Sequence, residues 1–142
     1  MGIANHQIAV CDIKKMDRLA FNLAKTLTPG MTLTLSGIVG SGKTTFTKML
    51  CKHLSISTEV LSPTYTYLSI YEEKVAHFDL YRLKEENDFF SLGFEEYFES
   101  CYITIIEWAE IIKAHLPKNT ISLLFSHAGN KRRIELNVPV LL

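Results

Sequence analysis

Gly37-Ile38-Val39-Gly40-Ser41-Gly42-Lys43-Thr44 decides how this chain folds. The apolar run Met31-Thr32-Leu33-Thr34-Leu35-Ser36 precedes it, and Thr45-Phe46-Thr47-Lys48-Met49-Leu50-Cys51-Lys52-His53-Leu54 follows as a helix-like run. Strand, Gly-rich loop and helix in that order are the setting in which G-x-x-x-x-G-K-[ST] acts as a phosphate-binding loop. With glycine at about 7% of average composition, the pattern arises by chance in roughly one chain in two hundred of this length. The expectation is a nucleoside triphosphate site.

The residue types follow from the chemistry. Gly37, Gly40 and Gly42 let the backbone curl tightly and turn its N–H groups onto the phosphates. The helix starting near Lys43 points its positive dipole end at the same anion, Lys43 adds a mobile charge, and Thr44 offers a hydroxyl to magnesium.

Outward from the loop, the composition bounds the rest. A chain of 142 residues, 47% hydrophobic and 21% charged, predicts one domain over residues 1–142. Fifteen basic and fifteen acidic side chains cancel, which removes the global field of a dedicated nucleic-acid binder. No apolar run approaches the roughly 20 residues of a membrane span, and the start lacks the basic and apolar regions of a signal peptide. A cytoplasmic protein is expected. Cys11, Cys51 and Cys101 are scattered without a C-x-x-C, so free, buried thiols are expected rather than disulfides or zinc.

Periodicity predicts strands over 6–10, 31–36, 65–71, 75–79, 102–106, 120–125 and 132–138. It predicts helices over 16–27, 45–54, 82–90, 93–100 and 108–115, with Glu72-Glu73-Lys74 as a hairpin tip and Ala128-Gly129-Asn130 as a second turn. Alternating strands and helices followed by hairpins predict a P-loop α/β fold, three layers αβα with a mixed parallel/antiparallel sheet, and a ligand at the strand carboxyl ends. Asp79 and Glu107 each follow a run of apolar or β-branched residues, the pattern of an acid at a strand end facing a phosphate loop.

Ser62-Pro63-Thr64-Tyr65-Thr66, His77-Phe78-Asp79-Leu80-Tyr81-Arg82-Leu83 and Ile106-Glu107-Trp108-Ala109-Glu110 come in this order after the loop. Together they closely resemble the TsaE (YjeE) family, small bacterial ATPases needed for the threonylcarbamoyladenosine modification of tRNA. The resemblance runs from residue 19 to about 138. It implies ATP and Mg2+ as cofactors and slow hydrolysis that is accelerated by the transferase pair TsaD and TsaB. It implies tRNA contact only through that complex, and no membrane. Gly37, Gly40, Ser41, Gly42, Lys43, Thr44, Thr45 and Trp108 are then the nucleotide-binding candidates, and Thr44, Asp79 and Glu107 the magnesium candidates. Glu107, Lys43 and Thr64 are the catalytic candidates, with Thr64 in a switch-like SPT motif. Asp79 is assigned to magnesium and Glu107 to the attacking water, although the sequence also permits the reverse. Trp108 either flanks the nucleotide or anchors the core.

The chain departs from the family where an aspartate usually follows the first loop glycine: Ile38 and Val39 stand there instead. Nucleotide is still expected to bind, since the backbone and Lys43 are intact, with hydrolysis or its regulation altered. Met16 stands where the family tends to carry threonine. Arg82 reads as a residue that orients the acid or meets a partner, and Lys131-Arg132-Arg133 as a solvated turn or an RNA or partner contact. A small-molecule kinase would need an Arg-rich lid that Arg18, Arg82, Arg132 and Arg133 do not supply, and a GTPase an N-K-x-D that Asn130-Lys131-Arg132-Arg133 lacks. A nucleotide-gated binding module remains compatible with the motifs.

Overall fold

The computed structural model describes residues 6–63 and 65–138. The apolar runs form a sheet of β1 (His6–Cys11), β2 (Thr32–Ser36), β3 (Leu68–Tyr71), β4 (Val75–Asp79), β5 (Ile103–Glu107), β6 (Ile121–Ala128) and β7 (Lys131–Asn137). Their spatial order is β1-β7-β6-β2-β5-β4-β3. The central β6, β2, β5 and β4 run parallel, while β1, β7 and β3 are antiparallel to their neighbours. Every residue of β4 and β5 is buried, the signature of parallel strands covered on both faces.

Helices α1 (Ile13–Thr26) and α2 (Lys43–His53) cover one face. There Met16, Leu23, Phe46 and Leu50 pack with Leu33, Ile105 and Phe125. The opposite face carries α3 (Glu86–Ser91) and two 3₁₀ segments, Phe94–Tyr97 and Ala109–His115, whose Phe89 and Ile112 pack on Ala76, Phe78 and Ile106. Burying each such side chain contributes about 1.5–3 kcal/mol. The alternation of strand side chains sorts the two cores, with Ile105 in one and Ile106 in the other. The expected three layers and mixed sheet are therefore present.

Local interactions move several element boundaries. Helix α1 starts at Ile13 rather than 16 because the Asp12 side chain accepts from the Lys15 N–H at 2.8 Å. The strand expected over 65–71 shrinks to Leu68–Tyr71, because Tyr67 lies at φ 66 and its N–H turns back to the Pro63 carbonyl at 2.8 Å. Leu83 closes a turn onto the Leu80 carbonyl, so the helix expected over 82–90 begins only at Glu86, where Asp88 accepts from the Glu85 N–H. The helices expected over 93–100 and 108–115 are 3₁₀ segments, the second kinked at Ile112. Cys11 and Cys51 are buried, but Cys101 is exposed, contrary to the expectation for all three. Among the described residues no helix is long and apolar enough to cross a membrane.

The hairpin between β3 and β4 places Glu72 and Glu73 at φ 51 and 56, the left-handed pair of a type I′ turn. The Glu72 carboxylate accepts from the N–H groups of Ser57 and Thr58 and from the Thr58 hydroxyl, at 2.6, 2.7 and 2.8 Å. These bonds, those from Thr58 foremost, hold its pKa below the ordinary 4.5. A depressed carboxylate stabilises the fold above its unfolded pKa and loses that contribution as pH falls through the lower folded value. Glu72→Gln should therefore melt below the wild type at neutral pH, with the gap closing under acid. Melting curves across pH 2–7 check this; a gap independent of pH contradicts it.

Candidate functional site

Strand β2 ends at Ser36, and the chain turns at Gly37 with φ 138. A Cβ there would lie 2.5 Å from the Phe125 carbonyl oxygen and 2.9 Å from Ser41 Oγ, so only glycine lets the loop cross β6 at this distance. Gly42, at φ 109, starts α2 without a side-chain cap, and the first turn holds no acidic residue. The leading N–H groups of an eleven-residue helix are thus left for a ligand at its positive end. They border a cavity of about 390 Å³ lined by the loop, by Lys43, Thr44 and Thr45, and by Asp79, Glu107 and Trp108.

The sheet brings the two acids there. Asp79 and Glu107 are register partners at the carboxyl ends of β4 and β5, and Leu35 of β2 pairs with Glu107 from the other side. Both carboxylates are buried, at 4% and 3% exposure, which rules out reading them as solvent-facing strand ends. Asp79 Oδ1 accepts from the Tyr81 N–H and Oδ2 from the Ser62 hydroxyl, each at 3.0 Å. Glu107 Oε2 lies 2.8 Å from His77 Nε2.

Lys43 folds back within the loop. Its Nζ donates to the Gly37 carbonyl at 2.5 Å and sits 3.9 Å from the centre of the Trp108 ring. Burial pulls its pKa below the ordinary 10.5, while Glu107, Glu110 and Asp79 oppose the shift. Trp108 takes the left-handed backbone, φ 58 and ψ 47, immediately after β5, and packs against Tyr81 at 4.8 Å between ring centres. A bulky residue in that region is strained, and the strain aims the indole over the lysine rather than into the core. Trp108 therefore lines the site.

Of the residues named from the sequence, Gly40, Gly42, Lys43, Thr44, Thr45, Asp79, Glu107 and Trp108 border one cavity. Gly37 and Ser41 build the loop behind it, Ser41 being fully buried. Thr64 lies outside the described residues. Arg82 stacks 4.3 Å over Tyr65 and is absent from the cavity wall, whereas Arg132 lines it, its Nη2 donating to the Gly40 carbonyl at 3.4 Å. Arg132 Nε and Ser41 Oγ are buried with no hydrogen-bond partner among the described residues. Sequence reading missed Arg132, because pairing of β6 with β7 brings it back across about ninety residues of chain. A smaller cavity of about 120 Å³ adjoins the loop at Gly42, between Met16, Thr45 and Arg132. Ile38 and Val39 stand exposed at the loop tip, 64% and 78%, where no carboxylate is supplied.

Comparison with known proteins is concordant. A sequence model of the family described as "Threonylcarbamoyl adenosine biosynthesis protein TsaE" matches residues 10–134. A tRNA threonylcarbamoyladenosine biosynthesis protein TsaE of Bacillus subtilis is 37% identical over 125 residues, covering 86% of this chain and 76% of that protein. Its namesake in Rickettsia bellii is 33% identical, covering 94% and 95%. The crystal structure of Bacillus subtilis YdiB superposes with a TM-score of 0.79 at 27% identity, covering 99% of this chain and 90% of that one.

Proposed function

Because the chain belongs to the TsaE family of threonylcarbamoyl adenosine biosynthesis proteins, we propose that it is a magnesium-dependent ATPase supporting turnover of the TsaD–TsaB transferase that modifies tRNA. The observation that carries this reading is the convergence of Lys43, Thr44, Asp79 and Glu107 on one cavity at the uncapped N-terminus of α2. An anion there meets the helix dipole, the loop N–H groups and two cations, Lys43 and Arg132.

The donor set suits a nucleotide with magnesium. Arg132 Nε is a buried N–H in want of an acceptor beside the loop. Among the described residues no group of three or more His, Cys, Asp or Glu forms a metal cage. Magnesium needs none when a hydroxyl, one or two carboxylates, waters and the phosphates share its shell. Thr44 and Asp79 would hold the ion, Glu107 would orient water, and Lys43 would exchange the Gly37 carbonyl for the terminal phosphates. The ion supplies charge neutralisation to the transferring phosphoryl group. The adjoining small cavity at Met16 would take the base. A protein supporting such a complex would act in the cytoplasm.

Steady-state ATP hydrolysis by the chain alone, and with TsaD, TsaB and tRNA, tests the proposal. Slow hydrolysis accelerated by the partners is expected, and equal rates with and without them would refute the auxiliary role.

A further inference from the structure

Both acids of the site are tied to one short stretch of chain. Asp79 Oδ2 accepts from Ser62 Oγ at 3.0 Å. Glu107 reaches the preceding residue through a buried relay: its Oε2 is 2.8 Å from His77 Nε2, His77 Nδ1 is 3.1 Å from the Tyr71 hydroxyl, and that hydroxyl donates to the Leu61 carbonyl at 2.9 Å. His77 has no solvent exposure and Tyr71 only 4%.

The strands explain the geometry. His77 and Asp79 are two apart on β4, so they share a face with each other, and the β4–β5 register sets His77 beside Ile105, two residues before Glu107 on the same face of β5. Hydrogen counting then fixes the direction. The one Tyr71 proton is on Leu61, so the tyrosine oxygen offers only lone pairs and His77 donates from Nδ1. The 2.8 Å contact at Nε2 engages the second ring nitrogen with the Glu107 carboxylate. With both ring nitrogens engaged the imidazole has one orientation, and Glu107, which lines the cavity, is held at Oε2. A histidine that merely filled the core would need neither a site carboxylate nor a tyrosine anchored on the backbone of a different segment.

We propose that His77 and Tyr71 are positioning residues that fix Glu107 and couple its orientation to the backbone at residues 61–62, the approach to Thr64. The catalytic half of this inference rests on the ATPase reading. Movement of the 61–62 segment when nucleotide binds would then be felt at Glu107 through the relay and at Asp79 through Ser62. Partners of this kind, acting behind a site residue, change activity by about 10–100-fold when removed.

The test uses Tyr71→Phe, His77→Leu and His77→Gln in the full chain. Tyr71→Phe and His77→Leu should lower kcat by about 10–100-fold. KM, and affinity for a non-hydrolysable ATP analogue read by Trp108 fluorescence, should stay within about threefold, a split that general unfolding would not give. His77→Gln, which keeps an N–H for Glu107, should recover much of what His77→Leu loses. Independently of hydrolysis, Glu107→Gln should alter amide hydrogen exchange at Leu61 and Ser62 in the wild-type background and not in the Tyr71→Phe background. If His77→Leu fails to fold, Tyr71→Phe carries both arms. Wild-type kcat in a folded Tyr71→Phe, or an equal exchange response in both backgrounds, overturns the proposal. A wild type that neither binds nor hydrolyses ATP overturns the ATPase reading instead, and the exchange arm still decides the coupling.

Discussion

Gly37→Ala should destabilise this protein by roughly 2–6 kcal/mol, against a total stability on the order of 5–15 kcal/mol. Two costs add. An L side chain at φ 138 leaves the populated backbone regions, about 1–3 kcal/mol. The new Cβ also lies 2.5 Å from a backbone oxygen of β6, which no side-chain rotation relieves, and overpacking of this kind costs about 1–3 kcal/mol. For a domain of this size the melting temperature falls by roughly 7–20 °C. A thermal scan measures it; a midpoint within about 2 °C of the wild type would show that the loop backs away from Phe125 at little cost.

Glu107→Gln should abolish most turnover and leave binding intact. The amide keeps the volume and a hydrogen bond to His77 but loses the charge that would order water in a buried site. Loss of a positioned acid–base group typically costs about 10²–10⁴-fold in rate. Steady-state kinetics beside an equilibrium ATP titration separate the two effects: kcat falls at least about 100-fold while the ATP affinity stays within a few-fold. Hydrolysis within about threefold of the wild type would remove Glu107 from the chemistry and leave Asp79 as the candidate.

The central strands, the loop and the two acids were legible because local rules decide them. A buried parallel strand reads as a continuous apolar run, the loop glycines are dictated by backbone geometry, and an acid after such a run stands at a strand end. What escaped depends on contacts remote in sequence. Arg132 enters the site only because β6 and β7 fold its hairpin against Gly40. The role of His77 is invisible until β4 and β5 are in register. The helices expected over 82–90, 93–100 and 108–115 came out short or 3₁₀ because the elements there follow aromatic packing, with Phe78, Phe89 and Phe94 ring centres within 6 Å of one another. Tertiary packing of this kind overrides helix propensity. Trp108, open on sequence between the nucleotide and the core, borders the cavity from a left-handed backbone that no composition rule announces.

The claim that the cavity at the start of α2 is an ATP–magnesium site is tested most directly by calorimetric titration of ATP into the full chain, with magnesium present and then chelated. The account predicts one saturable binding event that weakens when magnesium is removed. No saturable heat at millimolar ATP would contradict it.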